Sequence, residues 1–417
     1  MREFLKRKWR NILLFLSIVG PGLITANADN DAGGIATYAT VGAHYGYQML
    51  WGVVLMTISL AIIQEMSARM GVVTGKGLSD LIREEFGVKL TFFAMATLML
   101  ANIGTVIAEF AGIAASLDVF GVPSAVSVPI VAILIWLLVV KGSYRMAEKA
   151  FLLLSLVFLS YVVSGFLAKP DWNEVITASL HPRFVWEGEF ILLFIGMIGT
   201  TITPWMQFFL QSSVVDKEIP LKMYPYERAD VLVGAFITDF VAFFIIVCTA
   251  ATLFKSGVRV SSAEDAALAL GPLAGANAKF LFALGLFGAS TLGASIVPLS
   301  TSYAICEAFG WESSINRKFR EAPVFFTLYT ALIIIGACVI FIPVRHLFQI
   351  MLVSQVINGI LVPVILIFML KLTNNRRVMG EYVNKPLFNS LAYLTVGAII
   401  LLTVIYTINL FIPFLAR

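Results

Sequence analysis

The sequence predicts an all-α polytopic membrane protein of eleven transmembrane helices, arranged as an inverted repeat of spans 1 to 5 against spans 6 to 10, with spans 1 and 6 broken. Three observations carry this. Of 417 residues, 59% are hydrophobic and 13% charged, with a mean hydropathy of +0.91, whereas soluble domains carry about 25% charged residues. Apolar runs of about 20 residues, long enough to cross a hydrocarbon core, recur from Asn11 to the C-terminus with no soluble module between them. Two of these runs, five spans apart, are interrupted by polar residues, Gly and Pro, which is the sequence sign of an inverted repeat. A chain this long could form two or three soluble domains, but the pattern predicts one membrane domain over residues 1–417.

Backbone groups in lipid must be satisfied within the protein, so spanning structure is helical or a closed barrel, and continuous runs of this length are helical. The spans are expected at residues 12–42, 46–70, 91–118, 124–140, 147–168, 189–214, 230–254, 278–306, 323–342, 346–371 and 390–416. Span 1 opens as "MREFLKRKWRNILLFLSIVGPGL", basic then apolar like a signal peptide. It runs on into "NADNDAGG" with no convincing small-residue cleavage site, so it reads as a retained span. The basic residues test the count. With the N-terminus inside, the cytoplasmic segments hold 22 of the 29 Lys and Arg and the other side seven. That is the positive-inside pattern, and it predicts a multi-pass plasma-membrane protein with a cytoplasmic N-terminus and an extracytoplasmic C-terminus. Topology thus accounts for the net charge of +4, and no nucleic-acid partner is expected. Cys248, Cys306 and Cys338 lie far apart in apolar segments and read as small buried side chains, not as a disulfide framework or thiolate metal site.

Span 1 carries "NADNDAGG", residues 27–34, and span 6 carries "GMIGTTITPW", residues 196–205. In a helix interior Gly costs about 1 kcal/mol and Pro about 3, so each span is expected to break near its middle, with simple kinking as the competing reading. Charge favours a site. A carboxylate at bilayer depth costs about 2.5–3.5 kcal/mol and persists mainly by facing a cavity, a partner or an ion. Unwound backbone frees carbonyl oxygens which, with carboxylates and hydroxyls, suit a hard cation. The competing role for the stretch is helix capping, weighed more for Asp29 and Asn30 than for Asp31. Asp239 in "AFITDFVAFF" stays open between a pathway residue and a packing contact. No nucleophile with its base and no phosphate loop is suggested, so an enzyme is not expected.

The runs "GPGLITANADNDAGGIATYATVGAHYGY" and "LWGVVLMTISLAIIQEMSARMGVVTGKGLSDLIRE" resemble the opening of the Nramp family, proton-coupled transporters of divalent transition metals. So do "VIAEFAG", "YRMAEKA", "PLSTSYAICEAFGW" and "SQVINGILVP", in order along nearly the whole chain. The resemblance implies an eleven-helix, LeuT-type inverted repeat and a metal site at the two breaks. The family's first break carries Asp-Pro-Gly-Asn, matched here by Asp31, Ala32, Gly33 and Gly34. Its sixth helix carries Gly-Ala-Thr-Val-Met-Pro-His, matched by Gly199, Thr200, Thr201, Ile202, Thr203, Pro204 and Trp205. Thr203 therefore stands where the family has its metal-binding Met, and Trp205 where it has a His.

These departures have a chemical direction. A thioether suits transition ions and disfavours hard Mg²⁺, so Thr203 removes the soft ligand. Gly34 widens the pocket, and Thr200 offers a hydroxyl to a metal-bound water. Mg²⁺ keeps several waters and uses one or two carboxylates, and the pattern is similar to the Nramp-related magnesium branch. Asp31, Gly34, Thr200 and Thr203 are the expected metal site, with Asn27, Asp29, Asn30, Gly199, Trp205, Gln355 and Glu109 around it or along its path. Gln355 matches a family glutamine that visits the metal site, so a gating role is weighed against helix packing. Glu109 reads as a structural partner of a cationic or hydroxyl group, weighed against a proton carrier. Val106 replaces the family's neighbouring Asp, and His44, His181 and His346 all fall outside mid-span positions, so the proton relay is expected to be broken. The expected function is uptake of hydrated Mg²⁺, and also Mn²⁺, by alternating access without proton coupling. The alternatives are a proton-coupled Mn²⁺ or Fe²⁺ transporter and an amino-acid carrier of the same fold. The metal is substrate, no resident cofactor is expected, and the expected partners are the ion and the lipid bilayer, with the chain a monomer.

Overall fold

The computed structural model describes residues 21–141, 153, 157, 159–315, 317–342 and 347–415, and among these the regular structure is helical throughout. Span 1 is α1 (Pro21–Asp29) and α2 (Ala32–Tyr45), span 2 is α3 (Leu50–Thr74), span 3 is α4 (Leu78–Asp118) and span 4 is α5 (Ser124–Val140). The described part of span 5 is α6 (Leu159–Leu167), followed by α7 (Trp172–Leu180). Span 6 is α8 (Gly188–Thr201) and α9 (Pro204–Asp216). Spans 7 to 11 are α10 (Tyr224–Thr249), α11 (Ala278–Phe309), α12 (Pro323–Val339), α13 (Leu347–Thr373) and α14 (Pro386–Leu415). Residues 12–20 of span 1, most of 147–158 in span 5, the "YRMAEKA" run and His346 lie outside the described residues.

All eleven expected spans thus meet helix, and both expected breaks are present. The bounds move for local reasons. Span 2, expected at 46–70, runs from Leu50 to Thr74, because Gly46 turns the chain at φ 58° and the helix closes only at Gly75, in the left-handed conformation that favours glycine. Span 3, expected from 91, begins at Leu78 but bends at Gly87, whose φ of 76° is not helical. The apolar reading therefore found only the half beyond the bend. Span 7, expected at 230–254, starts at Tyr224 and ends in a π-helical turn, Ala250–Phe254. Span 8 continues past 306 to Phe309, and span 9 stops at Val339 instead of 342. The sequence reading missed α7, a short helix capped by Asp171, whose carboxylate accepts from the Asn173 and Glu174 amides. It also misjudged Cys338, which is exposed on α12, whereas Cys248 and Cys306 are buried.

The long α4 is the central post, packed against α11 on one side and α13 on another. α10 packs along α1, α2 and α3, and α8 packs against α13 and α2. The two broken spans are therefore held between long helices of the other spans. Large apolar side chains cover the perimeter, as Phe92 at 65% exposure and Leu394 at 69% illustrate. On a membrane helix these are lipid-facing positions, and among the described residues seven helical segments, counting Gly188–Asp216 as one, are long and apolar enough to cross a bilayer.

Candidate metal site

Span 1 breaks because Asp31 leaves the helical region, with φ −81° and ψ −179°, and starts α2 as its N-cap. Its Oδ1 accepts the Gly34 amide at 2.6 Å. A carboxylate satisfies an orphan N–H there and sits at the positive end of the helix dipole. This corrects the sequence expectation, which weighed capping more for Asp29 and Asn30 than for Asp31. Capping and ion binding are compatible here. Gln355 Nε2 stands at a long 3.4 Å from each Asp31 carboxylate oxygen, and the Glu109 carboxyl group and the Gly33 amide also lie within reach of the carboxylate.

Gly34 shows what the break encloses. A Cβ built on it would lie 2.8 Å from Thr200 Oγ1, 3.2 Å from the Asp29 carbonyl oxygen and 3.3 Å from Asp31 Oδ1. Three oxygens from both broken spans thus converge on a point that any side chain at residue 34 would fill. Thr200 is fully buried and its hydroxyl has no hydrogen-bond partner. Span 6 breaks at Ile202, whose ψ of 63° ends α8, and restarts at Pro204, which takes the first position of α9, where a missing N–H costs nothing. Thr203 caps α9, is 1% exposed, and its hydroxyl is also without a partner. A buried polar atom left unpaired costs about 1–3 kcal/mol, so the Thr200 hydroxyl, meeting Asp31 Oδ1 around the Gly34 Cβ position, marks a place suited to a ligand or water. All the converging donors are oxygens, the set a hard cation prefers.

The remaining expected residues divide. Gln355 does reach the site, and its orientation is set by Asn358, whose Nδ2 donates to Gln355 Oε1 and Thr105 Oγ1 at 3.0 Å each. Asn358 escaped the sequence reading, although an amide three residues from Gln355 on one membrane helix shares its face. Gly33 is required for the approach, since its Cβ would fall 1.8 Å from Gln355 Nε2. Gly199 faces α13 instead of the ion, with a built Cβ 1.9 Å from the Gln355 carbonyl oxygen and 2.3 Å from Gly359 N. Trp205 is buried, its indole N–H unpartnered and its carbonyl accepting from Ser300 at 2.8 Å. Glu109 was expected to partner a cationic or hydroxyl group. Its carboxyl group instead lies within hydrogen-bonding reach of the Asp31 carboxyl group and takes a 3.4 Å contact from the Ala32 amide at the start of α2.

Asn27 lies on α1, and its side chain is outside the described residues. Asp29 and Asn30 turn toward α10, where Asn30 Nδ2 donates to Thr238 Oγ1 at 2.9 Å and Thr238 donates onward to Asp29 Oδ2 at 3.4 Å. Val106 is buried among apolar residues of α4. His44 Nδ1 meets Glu189 at 2.7 Å near the end of α2, and His181 is exposed, so neither imidazole reaches the breaks. Among the described residues no group of three or more His, Cys, Asp or Glu gathers as a metal cage.

Comparison with known proteins agrees with this architecture. The family profile described as natural resistance-associated macrophage protein-like matches residues 22–409. The divalent metal cation transporter MntH of Bacillus subtilis is 29% identical over 97% of this chain and 94% of that protein. MntH of Erwinia tasmaniensis is 30% identical over 93% of this chain and 92% of its own length. Among solved structures, the Eremococcus coleocola manganese transporter, in complex with an aromatic bis-isothiourea substituted compound, has a TM-score of 0.74 at 23% identity over 95% of this chain and 86% of that one. The nucleobase-cation-symport-1 transporter Mhp1 has a TM-score of 0.57 at 13% identity over 95% and 91%. At such identities the structures speak for the fold, the LeuT-type repeat with two broken helices, while the profile covers nearly the whole sequence: the chain belongs to the Nramp family.

Proposed function

We propose that this chain carries divalent metal cations across the membrane by alternating access, with the ion held where the two breaks meet and Asp31 as its charged ligand. The observation that carries the proposal is the convergence of the Thr200 hydroxyl, the Asp29 carbonyl and the Asp31 carboxylate around the Cβ position of Gly34. The name divalent metal cation transporter, borne by relatives over nearly their full length, supports the class of cargo. An amino-acid carrier would bind a substrate carboxylate at a helix N-terminus, and Asp31 fills that position on α2 with a carboxylate of its own.

The finer reading is uptake into the cell of hydrated Mg²⁺, with Mn²⁺ as a second cargo, without proton coupling, by a monomer whose N-terminus is cytoplasmic. It is supported by donors that are all oxygen, by two unpartnered hydroxyls suited to metal-bound water, and by Thr203 where the family's thioether stands. Trp205 and Val106 take the positions of two groups of the family's proton route. The second reading is a proton-coupled Mn²⁺ or Fe²⁺ transporter. The relatives' names, divalent metal cation transporter and manganese transporter, favour it more directly than they favour magnesium, and Glu109 beside the Ala32 amide offers one buried acid near the ion. Flux into proteoliposomes separates the two. Mg²⁺ and Mn²⁺ should both enter with internal pH unchanged, whereas Mn²⁺ influx with acidification and no Mg²⁺ flux selects the second reading.

A further inference from the structure

Away from the breaks, α5 and α12 lie side by side on the rim of the fold, both packed on α4. Each has 17 residues, about 25 Å of helix against a hydrocarbon core of about 30 Å. Trp136 Nε1 of α5 donates to Thr330 Oγ1 of α12 at 2.8 Å and bridges the two helices. From that bridge a groove of about 360 Å³ runs to Phe341, walled by Ala132 and Ile133 on one side and by Ala337 and Cys338 on the other. The indole N–H and the Thr330 hydroxyl are bonded to each other at its closed end, and the other side chains that line it are hydrocarbon apart from the Cys338 thiol. Ile133, Phe341 and Cys338 are all exposed, so the groove opens outward, where a membrane protein meets lipid.

Its dimensions select what fills it. Between Thr330 and Phe341 the chain rises about 15 Å, the depth of one leaflet of a bilayer. A volume of 360 Å³ over that length leaves a cross-section on the order of 24 Å², the width of one methylene chain. A helix from a second copy, about 10 Å across, fills roughly 80 Å² and stays out. Left unfilled, both walls forfeit their dispersion contacts. We propose that the groove between α5 and α12 is a seat for one acyl chain of a phospholipid, with the head at the Phe341 end and the tail stopping at the Trp136–Thr330 bridge. The short helices on either side mismatch bulk lipid, which sets this chain apart from its neighbours in the bilayer. The seat is separate from the oxygens at Gly34, so it stands whichever ion the protein carries.

The test is native mass spectrometry of the full-length protein, stripped of lipid in detergent and titrated with dioleoyl phosphatidylcholine. Wild type should bind one lipid per chain ahead of all others. Cys338→Trp, which fills the groove from an exposed position, should weaken that first binding at least tenfold, whereas Leu394→Trp, on the lipid-facing side of α14, should leave it unchanged. A monodisperse size-exclusion profile with a wild-type melting temperature establishes that both variants are folded. In wild type the thiol itself reports on the groove, because Cys338 is exposed in its wall while Cys248 and Cys306 are buried. Added lipid should slow alkylation of Cys338 by N-ethylmaleimide at least fivefold. Equal lipid binding by the two tryptophan variants, or alkylation at one rate with and without lipid, overturns the proposal. A wild-type dimer that Cys338→Trp dissociates overturns it too and gives this face to a second copy.

Discussion

Thr203 and Thr200 present buried hydroxyls without partners, and their cost is repaid only when something polar fills the space between the breaks. That gives three expectations for single residues. Asp31→Ala should abolish uptake of both Mg²⁺ and Mn²⁺ in proteoliposomes, because it removes the carboxylate that reaches the convergence point; retained uptake would move the site elsewhere. Thr203→Met should raise the Mn²⁺ to Mg²⁺ uptake ratio, since a thioether discriminates against hard, hydrated ions; an unchanged ratio would mean that residue 203 does not touch the cargo. Gly34→Ala should cut uptake at least tenfold while the protein still folds, because the new Cβ would stand 2.8 Å from Thr200 Oγ1 in the space the ion needs. Asp31 was legible in the sequence because a carboxylate at bilayer depth demands a reason. The pairing of Gly34 with Thr200 was not, since no local pattern says that residues 166 positions apart converge. Asn358 was hidden for a related reason: its amide matters only through the Gln355 that it orients.

The breaks are held by elements that touch at backbone distance, and this is where the fold is most sensitive. α8 crosses α13 so closely that Gly199 has the Gln355 carbonyl where a Cβ would go, and Gly359 has the Ile195 carbonyl, 2.3 Å from its own built Cβ. Overpacking of a tight interior costs about 1–3 kcal/mol, and here the obstacle is backbone, so Gly199→Ala should lower the thermal midpoint in detergent even though residue 199 does not face the ion. A wild-type midpoint would show that the crossing has slack. On the far end of α3 a different device ties elements together. Arg69, 6% exposed, pairs with Glu65 at 3.2 Å and donates to the Tyr382 carbonyl at 2.8 Å and to Asn384, while Tyr224 of α10 donates to Glu65. Removing one partner of a buried pair costs about 3–5 kcal/mol, because the other charge is left unmatched. Helix number and both breaks were readable from apolar runs and their interruptions. The amphipathic pieces were not. Before Gly87 and in Trp172–Leu180 the chain is helical without being apolar, so a reading tuned to lipid passes over them.

At the scale of the whole molecule, the inverted repeat fixes what the ion experiences. Helices α4, α10, α11 and α13 pack around the two broken spans, so the alternating access proposed above would not expose the backbone of the breaks to lipid. An energy source must bias that cycle. The histidines described lie away from the breaks and Val106 is apolar, which leaves Glu109 as an acid of the family's relay near Asp31. A divalent ion crossing the membrane gains about 4.6 kcal/mol per 100 mV, twice the single-charge figure. At about 1.4 kcal/mol per tenfold change, that supports accumulation on the order of a thousandfold without a proton. Proteoliposomes clamped with a potassium gradient and valinomycin should therefore take up Mg²⁺ faster as the interior becomes more negative, and a pH gradient at zero potential should drive no accumulation. If uptake instead followed the pH gradient with the potential clamped at zero, a proton would be moving with the metal, and Glu109 would be the first carboxylate to replace, as Glu109→Gln, to find its path.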